Sequence, residues 1–197
     1  ITFTTLDNIL KMKFLVTGSA GLVGSQVIKD LVRQNHIVYS GYHNAKPING
    51  IPIQINLTKQ EKIIQTLEKI KPDVIIHLAA ITDVELSESI EQLSTQINVK
   101  ATETIAKQAA KQQAFFVYLS TDYVFDGKNG MYKENNHTHP LGVYGKTKLE
   151  GENVLNRLSS EWCIVRTSTP FGIHNKKKSF PIWVKENLEL KKKIRVV

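Results

Sequence analysis

An apolar run, Lys13-Phe14-Leu15-Val16-Thr17, passes directly into glycines at 18, 21 and 24. Behind them Leu22, Val23, Val27, Ile28, Leu31 and Val32 recur at helical spacing. A strand that turns into a helix through a glycine-rich bend leaves few folds open. Glycine lets the backbone turn tightly, approach a pyrophosphate closely and pack the helix on the sheet. The free N–H groups at the helix start then bind phosphate. Gly18, Gly21, Leu22, Val23 and Gly24 are therefore read as a nucleotide-binding turn. Three spaced glycines are a weak signal alone, and their place directly after a strand is what strengthens it. The plain alternative is a glycine-rich turn without a ligand.

The rest of the chain repeats the alternation. Ile37 to Ser40 and Ile51 to Ile55 read as strands, and 58–70 as a helix with Thr58 as its N-cap. Asp73 to Leu78 is a buried strand after Pro72. Residues 87–112 carry one long helical pattern through Leu93, Ile97, Ala101, Ile105 and Ala109. Phe115 to Leu119 is a strand, 126–140 a polar loop, 142–158 a helix, 162–166 a strand and 180–190 a helix. Ile194 to Val197 reads as the start of another strand, and residues 1–12 as a leader before the fold. Strands alternating with helices predict an α/β, doubly wound parallel sheet with right-handed crossovers. Ligands of such sheets sit beyond the carboxyl ends of the strands. The glycine turn, Ala79-Ala80, Ser120-Thr121-Asp122 and Arg166-Thr167 all follow strands and should meet on one rim.

With 197 residues, 41% of them hydrophobic, the chain can bury one sizeable core. Its 26 Lys plus Arg against 18 Asp plus Glu give a net charge of +8. The basic residues are scattered, apart from Lys176-Lys177-Lys178 and Lys191-Lys192-Lys193, and no aromatics interleave them. That pattern reads as solvated surface or attraction for an anionic small ligand, not as a nucleic-acid groove. No apolar run approaches a membrane span. The single Cys163 excludes an intrachain disulfide and fits a reducing, cytoplasmic setting. Its apolar neighbours Trp162, Ile164 and Val165 make it read as a small core residue. His77 inside an apolar strand reads as a packed core residue, and we assign no metal to His137 or His139.

In NAD-preferring sites an acid near the end of the second strand holds the ribose hydroxyls. Here no acid occurs between Asp30 and Glu61. The segment Ser40 to Lys46 would not repel a 2′-phosphate, and His43 or Lys46 could pair with it. NADPH is favoured over NADH on that charge argument, and Lys46 reads equally as a solvated loop lysine. Tyr144 and Lys148 are four apart and share a helical face. A nearby ammonium favours the phenolate, which would lower the Tyr pKa and make it a usable proton donor and acceptor. A hydroxyl such as Thr121 could hold a substrate oxygen beside it. Together they suit hydride transfer to a carbonyl.

These motifs resemble the extended short-chain dehydrogenase/reductases, in order and from about Lys13 to the end. The matching strings are Val16 to Gly24, Pro72 to Ala80, Ser120 to Gly127, Pro140 to Glu152, and Arg166-Thr167. The string Ser120-Thr121-Asp122-Tyr123-Val124-Phe125-Asp126-Gly127 resembles the branch that reduces dTDP-4-dehydrorhamnose. It also resembles the non-catalytic regulatory subunit of methionine adenosyltransferase, and an epimerase is a third reading. The resemblance implies a Rossmann fold over 13–197, reduction of a 4-keto nucleotide sugar at C4, and a homodimer as one possible assembly. It implies that Tyr144 protonates the oxygen, Lys148 holds the nicotinamide ribose, and Thr121 orients the keto oxygen beside Asp122. Ala79, Ala80 and Thr82 would line the cofactor cleft, and Val84 and Glu85 would approach the sugar nucleotide. Asn98 would be catalytic or structural with equal weight. Asn56-Leu57 stands where the family commonly has an acid near the adenine, and an amide can still bond an adenine. The resemblance also implies that the part completing the sugar pocket lies past Val197, so that the substrate-binding part is truncated.

Overall fold

The computed structural model describes residues 10–158, 161–172 and 179–194. The leader before Leu10, the lysine run at 176–178 and the end of the last expected strand, 195–197, lie outside the described residues. Six strands form one parallel sheet: β1 (Lys13–Thr17), β2 (Ile37–Tyr42), β3 (Ile51–Gln54), β4 (Val74–His77), β5 (Phe115–Thr121) and β6 (Trp162–Thr167). Their order is β3-β2-β1-β4-β5-β6. The helices are α1 (Leu22–Arg33), α2 (Gln60–Ile70), α3 (Val84–Ser89), α4 (Glu91–Thr95), α5 (Ala101–Gln112), α6 (Val143–Asn156) and α7 (Phe180–Glu189).

Successive strand residues point to opposite faces, and both faces are covered in the middle of the sheet. Leu15, Ile75, Phe116 and Tyr118 face one side and pack with Ile63 and Leu67 of α2, Ile105 and Ala109 of α5, and Leu155 of α6. Phe14, Val16, Val38 and Val74 face the other and pack with Ile28 of α1. Strands buried on both faces read as continuous apolar runs, which is why they were visible in the sequence.

Three expectations need correction. Cys163 is exposed, not a core residue. It lies on the edge strand β6, where Trp162 and Ile164 pack on the core but Cys163 and Val165 point to the uncovered face. Thr58 does not cap α2, which begins at Gln60 after Lys59. Its N–H and hydroxyl instead bond Asn56 Oδ1, at 3.0 and 2.8 Å, in a side-chain-stabilised turn. The long helical pattern is broken at Ile90 and again by a π turn at Gln96–Lys100 before α5. Helical spacing persists across such breaks, so the pattern alone conceals them.

Helix α6 lies on β5 through Gly151. A Cβ there would meet Tyr118 Oη at 2.2 Å and its ring carbons at 2.7 and 3.2 Å. Tyr118 is fully buried and cannot swing aside. Gly151→Ala should therefore destabilise the fold by about 1–3 kcal/mol, the usual cost of overpacking, measured as a lower urea midpoint at unchanged slope. A neutral effect would mean that the helix does not pack this closely.

Candidate active site

The strand order reverses between β1 and β4, and the cleft opens at that switch point, as expected for ligand sites in such sheets. Gly18 has φ +67°, and a Cβ there would lie 2.8 Å from Ala79 N. A Cβ on Gly24 would meet Gly18 O still more closely, so a side chain at Gly18 would push the two strand ends apart and one at Gly24 would push α1 off the turn. Helix α1 starts after Gly21 with no side-chain cap and no acid in its first turn. Its leading N–H groups are left for an anion. The cleft has a volume of about 970 Å³.

Most of the expected residues meet there. Gly18, Gly21, Leu22, Val23 and Gly24 line it at the start of α1, and Ala79, Ala80 and Thr82 line it after β4. His43, Asn56 and Leu57 line one extremity. Val84, Thr121, Asp122, Tyr144 and Lys148 line the other walls. Three do not reach it. Lys46 is exposed on its loop and outside the lining, so His43 is the cation-capable side chain of the pair that faces the cleft. Glu85 is exposed in the first turn of α3, while its neighbour Val84 faces inward. Asn98 is buried in the π turn behind the wall. Its Oδ1 accepts from Ile81 N at 2.8 Å, and its Nδ2 donates to Ile81 O and to Thr147 Oγ1, both at 3.1 Å. Asn98 thus shapes the rim from behind and ties it to α6.

Tyr144 keeps its proton. Burial pushes its phenol above the ordinary value, the hydrogen bond with Thr121 pulls it down, and the Asp122 charge pushes it up again. The expected lowering by Lys148 is not what the geometry produces. The Lys148 ammonium lies 3.9 Å from the centroid of the Tyr118 ring, beneath the cleft. Burial lowers Lys148 to about 7, partly opposed by Glu152. The pair therefore offers a protonated phenol beside an ammonium that titrates near neutrality, which suits donation to an oxygen that gains charge.

Sequence reasoning missed the supports of this site. Thr17 Oγ1 accepts from Leu78 N and Ala79 N, both at 3.2 Å, and bonds His77 Nδ1 at 2.7 Å. His77 Nε2 lies 3.1 Å from Thr102 Oγ1, which donates to Asn98 O at 2.7 Å. Since the Thr102 proton is committed, His77 donates from Nε2 and accepts at Nδ1, a tautomer assigned from the network. Burial and the Lys148 charge hold His77 near 3, so it stays neutral. Buried Glu152 and Ser120 form a second set with half-buried Arg166. A polar residue inside an apolar run was the one available signal for His77. Nothing marked Thr17, Tyr118 or Glu152.

Residues 12–197 match the model described as the RmlD substrate binding domain. The chain belongs to that family. It is 34% identical to a probable low-salt glycan biosynthesis reductase of Haloferax volcanii, over 90% of this chain and 61% of that one. It is 37% identical to the methionine adenosyltransferase 2 subunit beta of Xenopus laevis, over 80% of this chain and 47% of that one. Its fold matches a dTDP-4-dehydrorhamnose reductase of Bacillus anthracis, solved in complex with NADP, with TM-score 0.74 and 28% identity over 92% of this chain and 60% of that one. The chain thus spans about half to three fifths of the length of these relatives. Two of these three relatives are named as reductases, and one of them was solved with NADP. Among the described residues, no helix is long and apolar enough to cross a membrane.

The buried ammonium makes stability depend on pH. Below about pH 7 both folded and unfolded chains carry the Lys148 charge, and the burial penalty is fully felt. From there up to the ordinary 10.5 only the unfolded chain keeps the proton, so this group makes stability rise with pH. Lys148→Met should be at least as stable as the parent in urea at pH 7. Its margin should narrow as the pH is raised toward about 9.5. A margin that stays constant over this range would show that Lys148 keeps its proton in the fold.

Proposed function

We propose that this chain is the cofactor-binding and proton-donating part of an NADPH-dependent reductase. Its substrate would be dTDP-4-dehydro-L-rhamnose, reduced at the C4 keto group to dTDP-L-rhamnose. One observation carries the reading: Thr121, Tyr144 and Lys148 open onto the same cleft as the uncapped start of α1. The residues present fit a dinucleotide. The free N–H groups of α1 suit its pyrophosphate, and the stretch from Asp30 to Glu61 places no carboxylate against a 2′-phosphate. NADH remains usable by the same turn.

When bound, NADPH supplies a hydride to the carbonyl carbon. The chain supplies the rest. Thr121, which lines the cleft with Tyr144, orients the keto oxygen. Tyr144 gives its proton to that oxygen as it becomes an alcohol. Lys148 holds the ribose. Gly18, Gly21, Leu22, Val23 and Gly24 hold the pyrophosphate, His43 the 2′-phosphate, Asn56 and Leu57 the adenine, and Ala79, Ala80 and Thr82 the inner wall. Val84 lies on the side where the sugar nucleotide would enter.

The second reading is a non-catalytic nucleotide-binding subunit, favoured by the 37% identity to the methionine adenosyltransferase 2 subunit beta. The two separate cleanly. With dTDP-4-dehydrorhamnose, loss of nicotinamide absorbance should accompany formation of the alcohol. Tyr144→Phe should lower that turnover by about 10²-fold or more while NADPH fluorescence reports unchanged binding. Binding without any NADPH oxidation would favour the subunit reading, and cofactor retained without net consumption would favour an epimerase.

A further inference from the structure

Lys148, Glu152 and Arg166 place two cations around one buried carboxylate. Glu152 stands one helical turn beyond Lys148 on α6 and is 2% exposed. An acid four residues from a lysine on a helix is its natural partner. The pair does not form. Glu152 is held elsewhere: Arg166 Nε donates to Oε1 at 2.9 Å, and Arg166 Nη2 to Oε2 at 2.6 Å. Ser120 Oγ donates to Oε1 at 2.5 Å. This two-pronged geometry is the strong form of carboxylate recognition. Arg166 is itself anchored by Nη1 on Glu134 O at 3.0 Å and by the Phe125 ring. The Lys148 ammonium rests instead on the Tyr118 ring, and no ion pair to it forms among the described residues.

We infer that Arg166 is a positioning residue for Lys148: by occupying both oxygens of Glu152 it prevents that carboxylate from capturing the ammonium, which stays directed at the cleft. This rests on the proposed reading that Lys148 holds the cofactor. The charged or titratable groups around Lys148 are His77 on β4, Tyr118 on β5, Asp122 after β5, Tyr144 and Glu152 on α6, and Arg166 on β6. Of these, Glu152 and Asp122 are the acids, and Asp122 is exposed beside Tyr144. Glu152 is thus the acid that Arg166 keeps from Lys148. A clamp of purely structural purpose would make loss of either partner harmful. A decoy predicts something else: removing the carboxylate should repair the loss of the arginine.

The test uses Arg166→Met, Glu152→Gln and the double variant in the chain as it stands. NADPH affinity is read by nicotinamide fluorescence. The Lys148 titration is read by NMR of protein labelled at lysine Cε, with the signal assigned by its disappearance in Lys148→Met. Arg166→Met should weaken NADPH binding about tenfold or more, the scale of one lost charge-assisted bond, and raise the Lys148 midpoint above the parent's value near 7. The double variant should regain most of the affinity and bring the midpoint back down. Glu152→Gln alone should bind NADPH like the parent with a lowered midpoint, which keeps the question answerable if Arg166→Met does not fold. Equal or worse binding in the double variant, or an unmoved midpoint in Arg166→Met, would overturn the inference. If the parent itself does not bind NADPH, the proposed function falls, and the NMR midpoints alone decide the role of Arg166.

Discussion

The contact of α6 with β5 is the interaction on which the site depends. Gly151 has no side chain, so the helix settles directly on the Tyr118 hydroxyl. At that distance Lys148 reaches the face of the Tyr118 ring and Glu152 reaches Ser120. Tyr144, one turn earlier, comes beside Thr121 at the end of the same strand. One seam between a helix and a strand thus sets the donor, its neighbouring hydroxyl and the ammonium. The residues involved, 144, 148, 151 and 152, recur at the spacing of one helical face.

A second constraint joins the two halves of the sheet. The run of hydrogen bonds from the Ala79 amide through Thr17, His77 and Thr102 to Asn98 crosses from β1 over β4 to the helices behind. Asn98 then returns to the rim at Ile81 and to α6 at Thr147. Thr17, His77, Thr102 and Asn98 are all buried, so their polar groups must find partners or incur a desolvation cost. The geometry of the cleft wall at Ala79 and Ile81 and that of α6 are therefore coupled through groups that lie behind the cleft. The π turn at Gln96–Lys100 widens the helix where Asn98 turns back to the rim.

Much of this was legible in the chain. The glycine turn, the alternation of strands and helices, and the convergence of strand-end motifs on one rim follow from periodicity and turn chemistry. The Tyr144/Lys148 spacing placed both on one face of a helix. Other features were hidden for identifiable reasons. Cys163 sits in an apolar run, yet an edge strand is covered on one face, and spacing does not say which strand lies at the edge. Lys46 and His43 are equivalent as sequence, and the course of the loop after β2 turned one toward the cleft and left the other in solvent. Nothing in the sequence paired Glu152 with Arg166 until the fold buried the first and brought the second to it on β6.

The sequence by itself determined the local chemistry: a phosphate-ready helix start, a phenol and an ammonium one turn apart, and no acid near the second strand's end. These depend on neighbours in the chain. Only the tertiary structure decided the state of those groups. Burial raised Tyr144 and lowered Lys148, and the contest of two cations for one carboxylate was settled in favour of Arg166. Charge energies in a low-dielectric interior depend on distances between residues far apart in sequence, so that outcome could not be read along the chain.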